Sequence, residues 1–280
     1  MARRIRHIAL IATACAALVP GGFAVAATVT GTEGRDRLSG TADVDVLASL
    51  GGRDVVRALA GKDVVDGGAG SDWLHGGRDE DTIVGGDGDD RVFGGPGDDL
   101  RLAGDAGADE ISGGSGGDRL EGGDGADALT GEGGDDALDG GAGADELLGG
   151  SGADVLSGQE GRDWLAGAEG DDRLWGGGHD DRLLGGRGSD ELFAGDGNDL
   201  VWALARDGAP DVVHGEMGDD TLHLRDGVAD RVDCGGGSDV ALLDALDVVT
   251  DATPANVNGS CERVERAEPS ARRGEGDDTA

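Results

Sequence analysis

Aliphatic residues recur every nine positions along most of this chain, each with a polar or small residue on at least one side. In the longest uninterrupted stretch they are Ile111, Leu120, Leu129, Leu138, Leu147, Leu156, Leu165, Leu174, Leu183 and Leu192. An isolated aliphatic residue of this kind predicts a short β-strand that turns one side chain inward. Such a strand buries too little apolar surface to be stable alone, so we expect the strands to stack into a solenoid whose units contact only their neighbours.

An aspartate precedes each aliphatic residue by two positions and keeps the same register. We number the unit so that the aspartate is position six and the aliphatic residue is position eight. Aspartates then recur every nine residues in four runs, separated by insertions of one, three and one residues: Asp36 to Asp99, Asp109 to Asp199, Asp211 to Asp220 and Asp230 to Asp239. A glycine pair opens ten of the twenty-three units, and glycine permits the positive φ angles of tight turns, so the glycine-rich half of the unit is predicted to form the turn.

The composition argues against an ordinary globular core and indicates a cationic partner. The 280 residues include 59 glycines, aromatic residues make up 2% of the chain, and the formal net charge is −36. Nucleic acid is not an expected partner, because Lys and Arg are needed to bind its phosphates. Rows of stacked aspartates would repel one another unless cations lay between them.

The unit GGxGxDxUx, in which U is apolar, resembles the repeats-in-toxin nonapeptide. It is seen as GGAGSDWLH at 67–75, GGDGADALT at 122–130 and GGAGADELL at 140–148. The resemblance covers roughly residues 31–243 and implies an all-β fold, a right-handed parallel β-roll solenoid in which two units make one coil. It also implies multiple Ca²⁺ ions between coils, each held by an aspartate, the aspartate eighteen residues further on and turn carbonyls. Calcium prefers such oxygen ligands.

The expected calcium ligands are the position-six aspartates of the regular units. They are Asp72, Asp81, Asp90, Asp99, Asp109, Asp118, Asp127, Asp136, Asp145, Asp154, Asp163, Asp172, Asp181, Asp190 and Asp199. Turn glycines are missing near Asp45, and Leu50 and Leu59 replace second-position glycines near Asp54 and Asp63, so weak or missing sites are expected there. The alternative is a solvated acidic surface on a metal-free solenoid.

The insertions divide the repeats into a first block, an uninterrupted second block and a degenerate stretch: 28–103, 104–202 and 203–227. Arg101 falls where the unit of Asp99 needs an aliphatic residue. Leu100 or Leu102 is therefore expected to take its place in the core.

The N-terminus has the layout of a secretory signal peptide. Three arginines precede an apolar run at 8–19, and small residues follow at 23–27. This pattern predicts a signal peptide over residues 1–27 and a secreted, extracellular protein. A twin-arginine signal and lipidation at Cys15 are weaker alternatives. The apolar run is too short to span a membrane, and no membrane insertion is expected.

The C-terminal segment 228–266 has a higher apolar density and is predicted to cap the solenoid. It resembles the terminal segment of secreted actinobacterial calcium-binding repeat proteins. Its expected strands are Val240–Val249 and Val257–Val264. Cys234 and Cys261 are expected to form a disulfide, the default for two cysteines in a secreted protein, and a zinc site is the weaker alternative. Residues 267–280 are polar and predicted to be disordered.

The sequence indicates a binding or structural protein rather than an enzyme. The HExxH zinc motif is absent. His75, His214 and His223 all fall at position nine, which faces outward, so a catalytic role is not expected for them. The expected function is a secreted calcium-binding β-roll with a structural, cell-surface or interaction role. The alternatives are a calcium-triggered module that assists export and a calcium-dependent extracellular enzyme with an unrecognised site.

Large apolar residues at position nine form two short rows. Trp175 and Phe193 are eighteen residues apart and should stack on one face, and Leu184 and Trp202 should do the same on the other. Such rows either brace their own sheet across turns or provide a surface for self-association or a cell-surface partner.

Overall fold

The computed structural model describes residues 12–13, 27–204, 207–250 and 260–267. The predicted signal peptide and tail lie outside the described residues, apart from residues 12–13, 27 and 267. The described part of the chain contains twenty-seven β-strands and no helix. The strands are β1 (Ala12–Thr13), β2 (Ala27–Thr32), β3 (Arg37–Ser39), β4 (Asp45–Leu50), β5 (Val55–Ala60), β6 (Val64–Ala69), β7 (Trp73–Arg78), β8 (Thr82–Asp87), β9 (Arg91–Pro96), β10 (Arg101–Ala106), β11 (Glu110–Ser115), β12 (Arg119–Asp124), β13 (Ala128–Gly133), β14 (Ala137–Gly143), β15 (Glu146–Ser151), β16 (Val155–Gly161), β17 (Trp164–Glu169), β18 (Arg173–Gly178), β19 (Arg182–Arg187), β20 (Glu191–Asp196), β21 (Leu200–Trp202), β22 (Val212–Met217), β23 (Thr221–His223), β24 (Arg231–Asp233), β25 (Val240–Asp244), β26 (Val248–Val249) and β27 (Arg263–Ala267).

Successive strands alternate between two long sheets. The first, of fourteen strands, contains β1 and every even-numbered strand, and the second, of thirteen strands, contains β3 and the other odd-numbered strands. Apart from the antiparallel pair β1–β2, neighbours run parallel, and paired residues lie two units apart, as in Leu120↔Leu138 and Leu147↔Leu165. Two nonapeptides therefore make one coil, and the predicted all-β parallel solenoid is confirmed.

The strands extend further than the repeat pattern predicts. A typical strand, such as β12, covers six residues, from position seven of one unit to position three of the next. The glycine pair thus lies within a strand, and the turn is confined to positions four to six. The prediction that the whole glycine-rich half forms the turn is wrong, because the second-position glycines pair with their equivalents in the adjacent coils, as in Gly123↔Gly141.

The core contains a single column of aliphatic side chains for each sheet. In β12, Leu120 at position eight and Gly122 at position one face inward, while Arg119 is exposed. Leu120, Leu138 and Leu156 occupy the same register in consecutive coils and are fully or almost fully buried. Each buried leucine contributes about 1.5–3 kcal/mol, so the column supplies the apolar stabilisation that a single strand lacks.

The inserted residue near Arg101 leaves this column intact. Leu102 pairs with Ile83 and Leu120 and is fully buried. Leu100 is 66% exposed. Of the two candidates that the sequence leaves open, Leu102 therefore takes the core position.

The C-terminal segment continues the coil, which corrects the strands predicted for it. The expected single strand Val240–Val249 is divided into β25, in the second sheet, and β26, in the first. The chain crosses between the sheets at residues 245–247, where Asp247 takes the place of a position-six aspartate. The other expected strand is also displaced, since β27 covers Arg263–Ala267, and residues 251–259 lie outside the described part.

A disulfide joins Cys234 to Cys261, with 5.1 Å between their Cα atoms, as the sequence predicts. Both cysteines are buried. We expect removal of the bond, by reduction or by Cys234→Ala with Cys261→Ala, to lower the free energy of unfolding of the last coils by about 3–4 kcal/mol, because it closes a long loop. Hydrogen exchange of the calcium-loaded protein should quicken at 231–249 and stay unchanged at 104–199. Equal acceleration along the whole chain would contradict this prediction.

Candidate metal centre

The position-six aspartates form two straight rows, one at the start of the strands of each sheet. The first Asp row comprises Asp45, Asp63, Asp81, Asp99, Asp118, Asp136, Asp154, Asp172, Asp190, Asp211, Asp230 and Asp247. The second Asp row comprises Asp36, Asp54, Asp72, Asp90, Asp109, Asp127, Asp145, Asp163, Asp181, Asp199, Asp220, Asp239 and finally Glu262. All fifteen aspartates singled out in the sequence lie in these rows.

One hydrogen bond repeats along each row. The backbone N–H of Asp127 donates to Oδ1 of Asp145 at 2.8 Å, and Oδ1 of Asp127 accepts from the N–H of Asp109 at 2.8 Å. Each carboxylate is thus fixed by the preceding coil. The insertions do not interrupt the rows, since the N–H of Asp90 donates to Oδ1 of Asp109 in the same way.

The second carboxylate oxygen is left without a protein donor. At every position-six aspartate from Asp54 to Asp239, Oδ2 is buried and has no hydrogen-bond partner. The residues themselves are at most 3% exposed, which does not agree with a solvated acidic surface. A buried, unpaired carboxylate oxygen is costly, so rows of such atoms point to a bound cation.

In most of the regular units a backbone oxygen lies beside the bare carboxylate oxygen. A Cβ atom added at Gly122 would lie 2.5 Å from the carbonyl oxygen of Gly140 and 2.6 Å from Oδ2 of Asp127. The missing side chain at position one therefore leaves a small cradle lined by two oxygens from adjacent coils. Hard cations such as calcium take six to eight oxygens of this kind.

Side chains alone do not complete a metal shell. Among the described residues, no three His, Cys, Asp or Glu side chains come together in a way that could hold a metal ion. A calcium ion at this place would therefore need further oxygen ligands, such as the main-chain carbonyl oxygens beside the glycine cradles.

The glycine cradle is present in fourteen of the fifteen expected units. In the unit of Asp199, position one is Ala194, which is fully buried. Its methyl group occupies the space that the other units keep open, so Asp199 fits an ion less well than the others. Asp220, outside the expected set, has Gly215 at position one and a bare Oδ2.

The sequence predicts weak or missing calcium sites near Asp54 and Asp63, where Leu50 and Leu59 replace second-position glycine. Both residues nevertheless adopt the glycine-like backbone, with φ angles of 73° and 93°. This conformation costs a side-chain-bearing residue about 1–3 kcal/mol. The backbone of these two units therefore follows the same path as in the other units, but Leu50 and Leu59 hold a strained conformation.

Burial raises the pKa of the position-six carboxyls from Asp54 to Asp239 above the ordinary value. Desolvation, partly offset by the backbone N–H donor and reinforced by carboxylates in adjacent coils, raises the pKa of Asp127 to about 6, of Asp136 to about 7 and of Asp181 to about 8. The protein without metal is therefore strained at neutral pH, because charged carboxylates are held where the neutral form is favoured.

This direction of shift predicts that acid stabilises the calcium-free fold. A folded-state pKa above the unfolded value of about 4 gives a contribution that is complete below pH about 4 and disappears as the pH rises through about 6–8. In chelator, we expect strong β-type circular dichroism at pH 4 and the loss of most of it by pH 8. A chelated protein more structured at pH 8 than at pH 4 would contradict this prediction.

Two further sets of acidic residues were not singled out from the sequence. Aspartates at position five, such as Asp135, accept the N–H of position five in the next coil through Oδ1, at 2.9 Å for Ala153. The doublets GDD and DD mark them in the sequence. Asp247 and Glu262 extend the rows beyond the repeats, but their spacing, 17 and 23 residues after Asp230 and Asp239, gives no periodic signal.

The position-nine rings stack as the spacing predicts. Trp175 and Phe193 are parallel, with ring centroids 5.4 Å apart, and His214 continues the stack at 4.7 Å from Phe193. On the other sheet, Trp202 stacks on His223 at 5.7 Å. The rings face one another along the solenoid axis, which braces adjacent strands.

The geometry defines a class of protein: a parallel β-solenoid with rows of buried carboxylate and carbonyl oxygens that suit calcium. The family model of the RTX calcium-binding nonapeptide repeat (4 copies) matches residues 30–65, 66–100, 101–129, 112–147, 139–174, 148–181, 157–192, 175–205 and 207–228. These matches cover more than half of the chain, which therefore belongs to this family, whose repeats bind Ca²⁺ at multiple sites. No curated protein matches the chain. Within the described ranges, no helix has the length and apolarity to cross a membrane.

Proposed function

We propose that this chain is an extracellular structural protein whose β-roll is held together by calcium ions between its coils. The bare, buried Oδ2 atoms of the two Asp rows carry this proposal. They recur at the same place in every position-six aspartate from Asp54 to Asp239, and in most of the regular units a carbonyl oxygen of the next coil lies beside them. An enzyme has a unique set of catalytic groups at one place, whereas these carboxylates are repeated in successive units.

The ligands proposed for the ions are the fifteen expected aspartates, with Asp199 the weakest, together with Asp220. In each unit Oδ2 and the position-one carbonyl of the next coil supply oxygen ligands, while the Oδ1 hydrogen bond sets the orientation of the carboxylate. Bound calcium would supply positive charge that offsets carboxylate repulsion between coils. Extracellular calcium modules typically bind in the range of about 10⁻⁴–10⁻³ M, so release into a calcium-rich medium would suffice to load the roll.

Secretion rests on the signal peptide predicted over residues 1–27, and the disulfide Cys234–Cys261 supports an oxidising environment. RTX repeat proteins are typically secreted. N-terminal sequencing of protein recovered from the medium should find the chain starting after Ala26 or Ala27. Retention of the full-length chain inside the cell would contradict extracellular location.

We propose no enzymatic activity for the roll. The letters of a GxSxG motif occur at 113–117, but Ser115 ends strand β11, and the next described element is strand β12 rather than the helix that a nucleophile elbow requires. The position-nine rings, which brace the sheets, remain a candidate surface for self-association or a cell-surface partner.

Equilibrium dialysis of the mature chain against calcium tests the proposed function. We expect roughly ten to fifteen ions per chain, one for each aspartate with a glycine cradle, and far weaker uptake of magnesium, which demands stricter octahedral geometry. Binding of no more than one or two ions would contradict the proposal.

A further inference from the structure

We infer that residues 27–65, the N-terminal cap, fold without calcium and provide a template on which the calcium-dependent coils assemble. The inference rests on the proposed function, because it separates coils that need the ion from coils that do not. Three features of this segment support the inference. Its first two aspartates accept hydrogen bonds on Oδ2, its next two units have a side chain in place of the position-one glycine, and its basic and acidic residues are almost equal in number.

The first two aspartates already have protein donors where the later ones are bare. The N–H and the hydroxyl of Thr32 both donate to Oδ2 of Asp36, the hydroxyl at 2.8 Å. The N–H of Thr41 donates to Oδ2 of Asp45, and its hydroxyl donates to Oδ1 at 3.3 Å. Threonine at position two thus gives these carboxylates the partner that a cation would supply elsewhere.

The next two units have a side chain in the cradle. Position one is Ser49 or Ala58 instead of glycine, and both residues are fully buried. The hydroxyl of Ser49 donates to the carbonyl oxygen of Gly67 at 2.8 Å, so this oxygen already has a partner. The Oδ2 atoms of Asp54 and Asp63 have no hydrogen-bond partner, so their burial still opposes folding of the cap.

The charge of the cap is almost balanced. Residues 27–65 contain five basic and six acidic residues, whereas residues 104–199 contain five basic and twenty-five acidic residues. Repulsion that opposes folding without counter-ions is therefore concentrated in the later coils. The cap also has valine at position seven in consecutive units, at Val46, Val55 and Val64, which adds apolar surface.

An N-terminal cap that is already folded would give the calcium-dependent coils a fixed starting point for assembly. A solenoid coil is stabilised by its neighbours, so the first coil formed has least support. A preformed cap offers the next coil strand β5, which pairs with β7, and the start of β6, which pairs with β8, together with the buried Val56 and Val65. Calcium binding would then proceed from the unit of Asp72 toward the C-terminus.

Hydrogen exchange of the full mature chain, in chelator and in calcium, tests this order. In chelator at neutral pH we expect protected amides at 27–65 and unprotected amides at 104–199, and in calcium both segments should be protected. If both segments are unprotected in chelator and protected in calcium, residues 27–65 do not fold without calcium, and the inference is wrong while the proposed function stands. If both segments are protected in chelator and calcium does not change the exchange, the roll folds without calcium. The proposed function is then wrong, and so is the distinction between coils that need calcium and coils that do not.

A threonine variant tests the cause of the protection. Thr32→Val with Thr41→Val removes both hydroxyl donors, and exchange at 27–65 in chelator should quicken by about tenfold or more, as expected for hydrogen bonds to charged groups. Thr30→Val, at an exposed position of β2, should leave the rate within about twofold. Calcium should still protect 104–199 in both variants. Unchanged exchange in the double variant would overturn the role of the threonines.

Discussion

Replacing Asp127 by alanine is expected to lower the stability of the calcium-loaded protein by about 3–5 kcal/mol, the cost of breaking a buried charged pair. The substitution leaves the N–H of Asp109 without its acceptor and removes a carboxylate that faces the neighbouring coils. Chemical denaturation in calcium measures this loss. Bound calcium should fall by about one or two ions per chain, because solenoid units contact their immediate neighbours.

Asp124→Ala is the matched control for this variant. Asp124 lies three residues earlier at an exposed position and has the same formal charge. Its replacement should change stability by no more than about 0.5 kcal/mol and leave the ion count unchanged. Equal effects of the two substitutions would mean that net charge, rather than the buried row, determines stability.

Gly122→Ala is expected to produce the second large effect, a loss of about 3 kcal/mol, at the upper end for overpacked sites. The added methyl group would meet the carbonyl oxygen of Gly140 and Oδ2 of Asp127. One of these oxygens must move, so the adjacent ion should be lost as well. Thermal unfolding and calcium binding of the purified variant measure both effects.

Gly178→Ala provides the control, since the nearest atoms to its added Cβ would be 3.8 Å away. It should retain the stability and ion content of the wild-type protein, with any change below about 1 kcal/mol, the span of strand propensities. If both glycine variants behave alike, the cradle is not a binding site and glycine serves only the backbone.

Periodic features of this fold could be predicted from the sequence, because repetition fixes which residues lie above one another. That two units make one coil is implied by the resemblance to the repeats-in-toxin nonapeptide. With two units per coil, the nine-residue spacing places Leu138 above Leu120 and aligns the position-six aspartates in rows. Their burial, with Oδ1 bound to the preceding coil, depends on contacts between coils that a single unit does not reveal.

Features that break the period could not be predicted in the same way. Leu100 and Leu102 are equally apolar, and only the path of the inserted residue decides which one is buried. The strand expected at Val240–Val249 divides because Asp247 resumes the row after seventeen residues, a spacing that no other unit uses. The six-residue strands were missed because glycine disfavours isolated strands, yet here it pairs with glycine in the adjacent coils.

Far-UV circular dichroism of the mature chain, titrated at neutral pH with calcium and separately with magnesium, would show whether the coils need calcium to fold. We expect a largely disordered spectrum in chelator that becomes β-rich with calcium and changes little with magnesium. A spectrum that is fully β-rich in chelator and indifferent to calcium would show that the Asp rows do not need the ion to fold, and would contradict the calcium-held β-roll.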